Sequence, residues 1–256
     1  MVKGLNKFRE FFKDYSNNYV LIGGAACDEH LSELGLNFRV TKDLDIIIIV
    51  EALNPDFVIE FWKFISIGKY EFQEMSSGEK KYFRFINPAV EDFPYQIELF
   101  SRNPDLFDLA DNSRFTPIPV EDDLSSFSAI LLDDEYYNFT ITNSLKNEDL
   151  NLASIESLIC LKARAYLDLK GRKETGEAID NNKIKKHKND IFRLAAIMTA
   201  DKKIKLPDSI HKDLLNALIE IEKDIPDLKS IGKGLGTGQL NGKVLLEQLR
   251  EVLSLI

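Results

Sequence analysis

The chain has 256 residues and a formal net charge of −9, with 44% hydrophobic and 29% charged residues. This composition is typical of a globular protein with a sizeable core, and it argues against a disordered chain and against a general coat for nucleic acid. The start of the chain, MVKGLNKFREFF, has no apolar leader, and the longest aliphatic run, residues 46–50, is far too short to cross a bilayer. We therefore expect a cytoplasmic protein without a membrane partner.

The first part of the chain predicts alternating helices and strands. LNKFREFFKDY has apolar residues at helical spacing, and NYVLIGG is typical of a short buried strand that ends in two glycines. AACDEHLSELG predicts a helix closed by Gly35, DLDIIIIV a second buried strand, and NPDFVIEFWKFI a helix opened by Asn54 and Pro55. KKYFRFIN and YQIELF predict two strands joined by a proline-containing loop, and FSAILLDDEYYNFTIT predicts a hairpin that turns at DDE.

Helical spacing dominates the rest of the chain, from LASIESLICLKARAYLDL onward. Further helices are predicted near residues 188–200, 208–223 and 241–255. The predicted organisation is a core domain at residues 1–150 followed by a helical C-terminal domain at residues 151–256. The fold class is therefore α/β, or α+β, with a mixed β-sheet core flanked by helices and a helical C-terminal domain.

Two aspartates, Asp43 and Asp45, stand one residue apart at the start of the predicted strand DLDIIIIV. Side chains alternate along a strand, so both carboxylates face one side while Leu44 points into the protein. Like charges held this close repel each other, and they favour a cation, a basic partner or a shared proton. A metal site explains this pair, and so does a strand that starts with two solvated carboxylates.

Gly23 and Gly24 end the preceding strand and lead directly into a helix. Backbone N–H groups at a helix start can receive a phosphate, and glycine lets that phosphate approach closely, although a plain tight turn also explains the pair. Adjacent strands of one sheet would bring this glycine turn and the two aspartates to the same edge. A glycine turn that can receive phosphate, next to two aspartates that can bind a metal ion, predicts a nucleotide-binding site.

These motifs, LIGGAACDEHL followed by FRVTKDLDIII, resemble the signature of the DNA polymerase β-type nucleotidyltransferase superfamily. Within it the chain is similar to the AbiEii-like nucleotidyltransferases, which include toxins of type IV toxin-antitoxin systems, because Arg39, Thr41, Asp43 and Asp45 reproduce their R-x-T-x-D-[IL]-D pattern. ASIESLICLKARAYLDL resembles the lysine-bearing helix of this family, and KKHKNDIFRL resembles its later K-x-x-D element. The resemblance covers roughly residues 18–198.

The resemblance implies a nucleotidyltransferase that uses a nucleoside triphosphate and two Mg²⁺ ions, with Mn²⁺ as an alternative ion. The catalytic and metal-binding residues that it implies are Asp43, Asp45 and Glu98. Many members have aspartate at the last of these positions. The residues that it implies for nucleotide binding are Gly23, Gly24, Arg39, Thr41, Lys42, Lys162 and Asp190. The implied partners are an RNA acceptor, in particular a transfer RNA end, and a cognate antitoxin protein.

Several of these residues also have a structural explanation. Lys162 lies in a mostly apolar helix, where it either contacts phosphate or extends its ammonium to water. Arg39 and Lys42 flank the aspartates, where they contact phosphate or offset the carboxylate repulsion. His187 lies in a lysine-rich turn, and we expect it to be solvated. A Glu98 that binds no metal would favour the alternative function, a catalytically inactive nucleotide-binding or interaction module with the same fold.

Basic charge is concentrated in one segment of the chain. Residues 162–193 contain ten Lys and Arg against five Asp and Glu, a local balance of +5, which leaves −14 for the remainder. Lysine and arginine neutralise phosphates, so this segment is the predicted approach for RNA, although such a run also fits a solvated helix end. The overall acidity and the lack of a recognisable DNA-reading motif disfavour a stand-alone DNA-binding protein.

Overall fold

The computed structural model describes residues 2–77, 80–101, 130, 133–147, 149–199, 203–236 and 238–254. These residues divide into two compact units. The first contains the described residues of Met1–Glu29, Arg39–Asp123 and Asn143–Ala153, and the second contains those of His30–Phe38, Leu124–Thr142 and Ser154–Ile256. The division into domains at residues 1–150 and 151–256 stays a prediction, because a domain is a unit that folds on its own and compactness alone does not demonstrate this.

A mixed β-sheet forms the centre of the first unit. Its strands within the described residues are β1 (Tyr19–Ile22), β2 (Asp43–Ile48), β3 (Glu71–Ser77), β4 (Lys80–Ile86), β5 (Gln96–Ser101), β6 (Ser144–Asn147) and β7 (Leu150–Ala153). They pair in the order β3-β4-β5-β2-β1-β7-β6. β2 runs antiparallel to β1 and parallel to β5, and β7 runs parallel to β1. The central strands β1 and β2 are almost wholly buried, which explains their continuous Val, Ile and Leu content.

Aromatic side chains fill the core of this unit. Its helices are α1 (Leu5–Phe12), α2 (Gly23–Glu33), whose last turn belongs to the second unit, and α3 (Pro55–Gly68). The ring centroids of Tyr19, Phe57, Phe61 and Phe64 lie 5.3 to 6.4 Å from that of Phe12. Asn54 caps α3 by accepting a hydrogen bond from the Phe57 N–H at 2.8 Å, and Pro55 takes the first helical position, as the sequence predicts.

Helices form the second unit in the part of the chain that the structure describes. They are α4 (Asp134–Thr142), α5 (Ile155–Glu174), α6 (Asn181–Ala195), α7 (Asp208–Glu222), α8 (Lys229–Gly234) and α9 (Gly242–Val252). Helix α5 packs against both α6 and α7. The helix predicted near residues 188–200 begins earlier, because Asp180 caps α6 by accepting a hydrogen bond from the Asn182 N–H at 2.9 Å.

The hairpin predicted for FSAILLDDEYYNFTIT is wrong where the structure describes this segment. Asp133 Oδ1 accepts hydrogen bonds from the N–H groups of Glu135 at 2.8 Å and Tyr136 at 3.3 Å, so the acidic cluster starts helix α4 instead of making a turn. The Tyr136 hydroxyl donates to Asp213 of α7 at 3.0 Å, a tertiary contact that holds α4 in place. Apart from Ile130, the first part of the segment lies outside the described residues.

The sequence does not predict β3, β6 or β7. SLKN in β6 carries no apolar alternation, and LNLA in β7 runs without a break into the apolar pattern of α5. These strands form because neighbouring strands pair with them, which a local pattern does not reveal. The predicted fold class, a mixed sheet with helices and a helical C-terminal part, is confirmed. Among the described helices, none is long and apolar enough to cross a bilayer.

Candidate active site

The ends of three neighbouring strands meet at one edge of the sheet. β1 ends at Ile22 where β2 begins at Asp43 and β5 begins at Gln96, because β2 is antiparallel to β1 and parallel to β5. In this register Asp45 stands opposite Ile22 on one side and opposite Glu98 on the other. Directly paired residues point to the same face of a sheet. The three predicted carboxylates therefore share one face at this edge.

Asp43 and Asp45 differ in how far they are withdrawn from water. Leu44 between them is fully buried, which agrees with the predicted alternation of faces along β2. Asp43 is half-buried, whereas Asp45 retains only 8% of its exposure. A carboxylate this buried requires nearby positive charge or hydrogen-bond donors.

The Asp45 carboxylate packs directly on the glycine turn. Helix α2 begins at Gly23, immediately after β1, and Gly23 has a φ of +66°. A Cβ on Gly23 would lie 1.8 Å from Asp45 Oδ2, and a Cβ on Gly24 would lie 2.5 Å from Thr41 Oγ1. The structure thus brings together four of the predicted site residues. It also shows that both glycines are required by the close approach of these side chains.

Arg39 and Lys42 lie on the segment that leads into β2. The Lys42 ammonium lies 5.6 Å from the centroid of the Tyr95 ring, which is a cation–π contact, and Tyr95 is half-exposed. Arg39 Nη1 lies 3.4 Å from the carbonyl oxygen of its neighbour Val40. The sequence analysis missed Tyr95, because its place beside Lys42 follows from the register of β2 with β5 and not from the local pattern.

Glu98 is held by two polar side chains of its own sheet. Its Oε1 accepts hydrogen bonds from Arg84 Nε at 3.1 Å and from Gln96 Nε2 at 2.8 Å, and Arg84 Nη2 lies 3.0 Å from the same oxygen. Glu98 is 4% exposed. The sequence analysis missed Arg84 and Gln96, although the alternation in KKYFRFIN marks Arg84 as the polar position between Phe83 and Phe85.

The chemistry of the donor groups fits one hard divalent ion. Asp43 and Asp45 supply carboxylate oxygens, which are the ligands that Mg²⁺ prefers. In the described ranges no three side chains of His, Cys, Asp or Glu are grouped so that they could hold an ion. Glu98 Oε1 already interacts with three N–H donor groups. The assignment of Glu98 as a metal ligand, and with it the second ion, stays a prediction.

Lys162 and Asp190 form a buried ion pair inside the second unit. Lys162 Nζ lies 3.3 Å from Asp190 Oδ2, and the two side chains are 2% and 0% exposed. Arg193 Nη1 donates to the other Asp190 oxygen at 3.0 Å, and the Arg193 guanidinium lies 5.8 Å from the centroid of the Phe38 ring. The structure thus brings together two predicted residues and adds Arg193. Their contact with a nucleotide, and a cleft shared with the aspartates, stay predictions.

The lysine-rich segment of α6 is more buried than the sequence indicates. His187 is 8% exposed, so the expectation of a solvated side chain is wrong. Lys188 is equally buried, and its ammonium donates to the Asp224 carbonyl at 2.8 Å and to Asp224 Oδ2 at 2.7 Å. The lysines of α6 that stay exposed are Lys183, Lys185 and Lys186. The amphipathic packing of α6 therefore separates the lysines into buried and solvent-facing groups.

No protein-family model matches the chain, and no curated protein matches it. Among solved structures, the chain is similar to the crystal structure of an antigenic nucleotidyltransferase-like protein from Paracoccidioides brasiliensis. The sequence identity is 16% and the TM-score is 0.43, and the alignment covers 90% of this chain and 94% of that chain. A likeness at this TM-score supports no conclusion about activity, so the function must be inferred from the geometry of the site.

Replacing Gly23 by alanine should distort the site. The Gly23→Ala variant combines a left-handed backbone with a Cβ that would overlap Asp45 Oδ2. Gly35→Ala is the matched control, because Gly35 has a φ of +69° but a Cβ added to it would meet no atom within 4 Å. We expect Gly35→Ala to cost about 1–2 kcal/mol from the backbone alone. Gly23→Ala should cost about 1–3 kcal/mol more from overpacking.

Urea unfolding of both glycine variants measures this difference in the free energy of unfolding. The double variant Gly23→Ala/Asp45→Ala should lose much of the extra cost, because the carboxylate that the new methyl group meets is gone. Equal destabilisation by Gly23→Ala and Gly35→Ala would contradict the close contact between the glycine turn and Asp45.

Breaking the buried ion pair should destabilise the second unit. Lys162→Met should lower the free energy of unfolding by about 3 kcal/mol or more, because Asp190 stays buried without its closest ammonium. Lys162→Met/Asp190→Asn should recover part of this loss, since no buried carboxylate is left over. The control is Lys170→Met, whose pair with Glu220 is about one-third exposed and should contribute less than about 1 kcal/mol. Chemical denaturation measures the free energy of unfolding of each variant. Equal losses of this free energy in Lys162→Met and Lys170→Met would contradict a buried ion pair between Lys162 and Asp190.

Proposed function

We propose that this protein is a nucleotidyltransferase that transfers a nucleotidyl group from a nucleoside triphosphate to a hydroxyl acceptor. The supporting observation is the contact between the glycine turn and the acidic pair, in which Asp45 Oδ2 lies against Gly23 at the start of helix α2. A helix start with glycine attracts phosphate, and two carboxylates on one strand face attract a divalent ion. A nucleoside triphosphate that carries a divalent ion meets both requirements at one edge of the sheet.

In this reaction the acceptor hydroxyl gives up its proton to water, its oxygen forms a bond to the α-phosphorus, the bond from that phosphorus to the bridging oxygen breaks, and pyrophosphate leaves. Asp43 and Asp45 would hold a Mg²⁺ ion, which when bound neutralises phosphate charge and lowers the pKa of an attacking hydroxyl. The backbone N–H groups at the start of helix α2 would receive phosphate oxygens beside Asp45. The work of these residues is to orient the substrate and to offset its charge.

A second candidate function is a nucleotide-binding or interaction module without turnover. The observation that favours it is the engagement of Glu98 by Arg84 and Gln96, since a carboxylate with three N–H donor groups at one oxygen is poorly prepared to bind a second ion. Such a module would bind triphosphate at the glycine turn and would release it unchanged. The two functions differ in one measurable property, which is the transfer of label from the α-phosphate to an acceptor.

The acceptor that we propose is RNA, in particular the end of a transfer RNA, and the biological role that we propose is the toxin of a toxin-antitoxin pair of the AbiEii-like kind. The resemblance of the sequence motifs supports this role. Physical support comes from the second unit, where Lys183, Lys185 and Lys186 are exposed on α6. A cavity of about 700 Å³ in this unit is lined by four lysines and three carboxylates. These are Lys170, Lys173, Lys185 and Lys188, and Glu174, Asp224 and Asp227.

Removing either aspartate should abolish nucleotidyl transfer. Asp43→Asn and Asp45→Asn keep the shape of the side chain but remove a negatively charged ion ligand, so we expect the label transferred from an α-³²P-labelled triphosphate to total RNA to fall at least about a hundredfold. Stability should be unchanged or slightly higher, because the substitution relieves repulsion between neighbouring carboxylates. Asp92→Asn, at an exposed position in the loop before β5, is the control and should transfer label normally.

Retention of near wild-type transfer by Asp43→Asn or Asp45→Asn would reject the proposed site. Absence of transfer by the wild-type chain to RNA, protein and small hydroxyl compounds, combined with measurable triphosphate binding, would instead support the module without turnover.

Reversing the exposed charge of α6 should prevent RNA labelling and spare triphosphate binding. Lys183, Lys185 and Lys186 are changed together to Glu, while Lys188 is left intact because it is tied to Asp224. Loss of phosphate contacts should also reduce the steep fall of the wild-type reaction with rising salt. The control makes the same charge change at three other exposed lysines, which are Lys203, Lys205 and Lys212. Labelling that survives the α6 reversal and high salt would exclude RNA contact through this surface.

A further inference from the structure

Arg84 stands beside the acidic edge of the sheet and neutralises one of its carboxylates. It lies directly opposite Glu98 in the antiparallel pairing of β4 with β5, and Glu98 lies opposite Asp45 in the parallel pairing of β5 with β2. The three residues therefore form one row across three adjacent strands and point to the same face. Because β5 lies between them, the backbones of Arg84 and Asp45 are two strand spacings apart, or about 10 Å. The long side chain of Arg84 covers part of this distance.

The formal charges of this row, taken together with that of the neighbouring Asp43, balance one divalent ion. Asp43, Asp45 and Glu98 carry three negative charges, and the Arg84 guanidinium brings the balance to −2. One divalent cation neutralises this balance, whereas a second cation would have to bind beside a guanidinium that already contacts the same Glu98 oxygen through Nε at 3.1 Å and Nη2 at 3.0 Å. Like charges at this range repel strongly when the site is partly buried.

Glu98 is suited to hold an arginine in place. Its Oε1 also accepts a hydrogen bond from Gln96 Nε2 at 2.8 Å, so the carboxylate is fixed from two sides. The Arg84 side chain keeps 17% of its exposure while Glu98 keeps 6%, which leaves the cation more accessible than the anion that orients it. Guanidinium is the side-chain group best matched to phosphate oxygens, and preorganisation by a carboxylate lowers the entropy that is lost on binding.

We propose that Arg84 supplies the second positive charge of the site as a fixed guanidinium directed at the triphosphate, and that Glu98 is its positioning residue and not a metal ligand. This inference rests on the proposed nucleotidyl transfer, because it assumes that a triphosphate binds at the glycine turn. A single divalent ion then binds at Asp43 and Asp45, and Arg84 offsets phosphate charge that a second ion would offset in a two-ion site.

Counting bound ions tests the proposal without an activity measurement. Crystals are soaked with Mn²⁺ and an α,β-methylene nucleoside triphosphate of each base in turn, and the anomalous scattering of manganese locates every ion. The wild-type protein should show one ion, at Asp43 and Asp45. Arg84→Met should show a second ion at Glu98, because the carboxylate is released, and Arg84→Met/Glu98→Gln should return to one ion. Arg84→Lys, which keeps the charge, should retain a single ion.

Triphosphate affinity provides an independent measurement. Calorimetry at fixed ionic strength should find that Arg84→Met binds the methylene analogue about tenfold more weakly, as expected for the loss of one charge-assisted contact. A higher Mn²⁺ concentration should restore the affinity of Arg84→Met for the methylene analogue, because a second ion then binds at Glu98. It should not restore the affinity of Arg84→Met/Glu98→Gln, which lacks that carboxylate. The control Arg9→Met breaks another arginine–carboxylate pair of the same unit, Arg9 with Glu29 at 2.6 Å, and should change neither ion number nor affinity.

Two wild-type ions, one of them bound by Glu98, would overturn the role of Arg84 and leave the proposed function standing. Unchanged affinity and a single ion in Arg84→Met would show that Arg84 only stabilises the sheet, and this too would overturn the inference. A wild-type protein that binds neither Mn²⁺ at the aspartates nor triphosphate would reject the proposed function itself. Circular dichroism shows which variants are folded, and only those are compared. If Arg84→Met does not fold, Arg84→Lys still tests the role of the guanidinium, because it keeps the charge but not the shape of that group.

Discussion

The contact between Gly23 and Asp45 is the constraint on which the arrangement of the candidate site depends. Asp45 Oδ2 occupies the space that any larger residue at position 23 would need, so the end of β1 and the start of β2 are held in one register. That register sets the position of the first turn of α2 relative to both aspartates. It also fixes β5, because β2 pairs with β5 over its length. The absence of a Cβ at Gly23 thus allows the close packing on which the relative positions of the helix start, the two aspartates and β5 depend.

The two faces of the sheet differ at the edge where the candidate site lies. Tyr19 and Leu44 lie on the face that packs with the aromatic side chains of α1 and α3, and both are fully buried. The opposite face carries Asp45, Glu98 and Arg84 at its acidic edge. Buried apolar side chains lie on this face as well, among them Val20, Ile22 and Ile47, so the charged groups stand at the edge of an apolar core.

Both units contain an arginine next to a buried carboxylate. Arg84 approaches Glu98 in the first unit, and Arg193 approaches Asp190 in the second, where Lys162 contributes another positive charge. Buried ion pairs contribute little net stability compared with apolar side chains of similar size, whereas leaving one partner alone is costly. Their presence is more easily explained by a requirement for positioned charge than by a requirement for stability. For Lys162 the structure shows this pairing with Asp190 inside the second unit.

Local patterns in the sequence determined most of the helices, the strands β1, β2, β4 and β5, and the presence of a glycine turn before two aspartates on one strand face. These features depend on residues within a few positions of each other, such as Asn54 as the cap of α3, and side-chain periodicity reveals them. Only the tertiary structure decided that Tyr136 of α4 contacts Asp213 of α7, that Tyr95 lies beside Lys42, and that Arg84 holds Glu98. Those partners come from different strands or from positions remote in the chain, and their contacts form only after strand pairing and helix packing have brought them together.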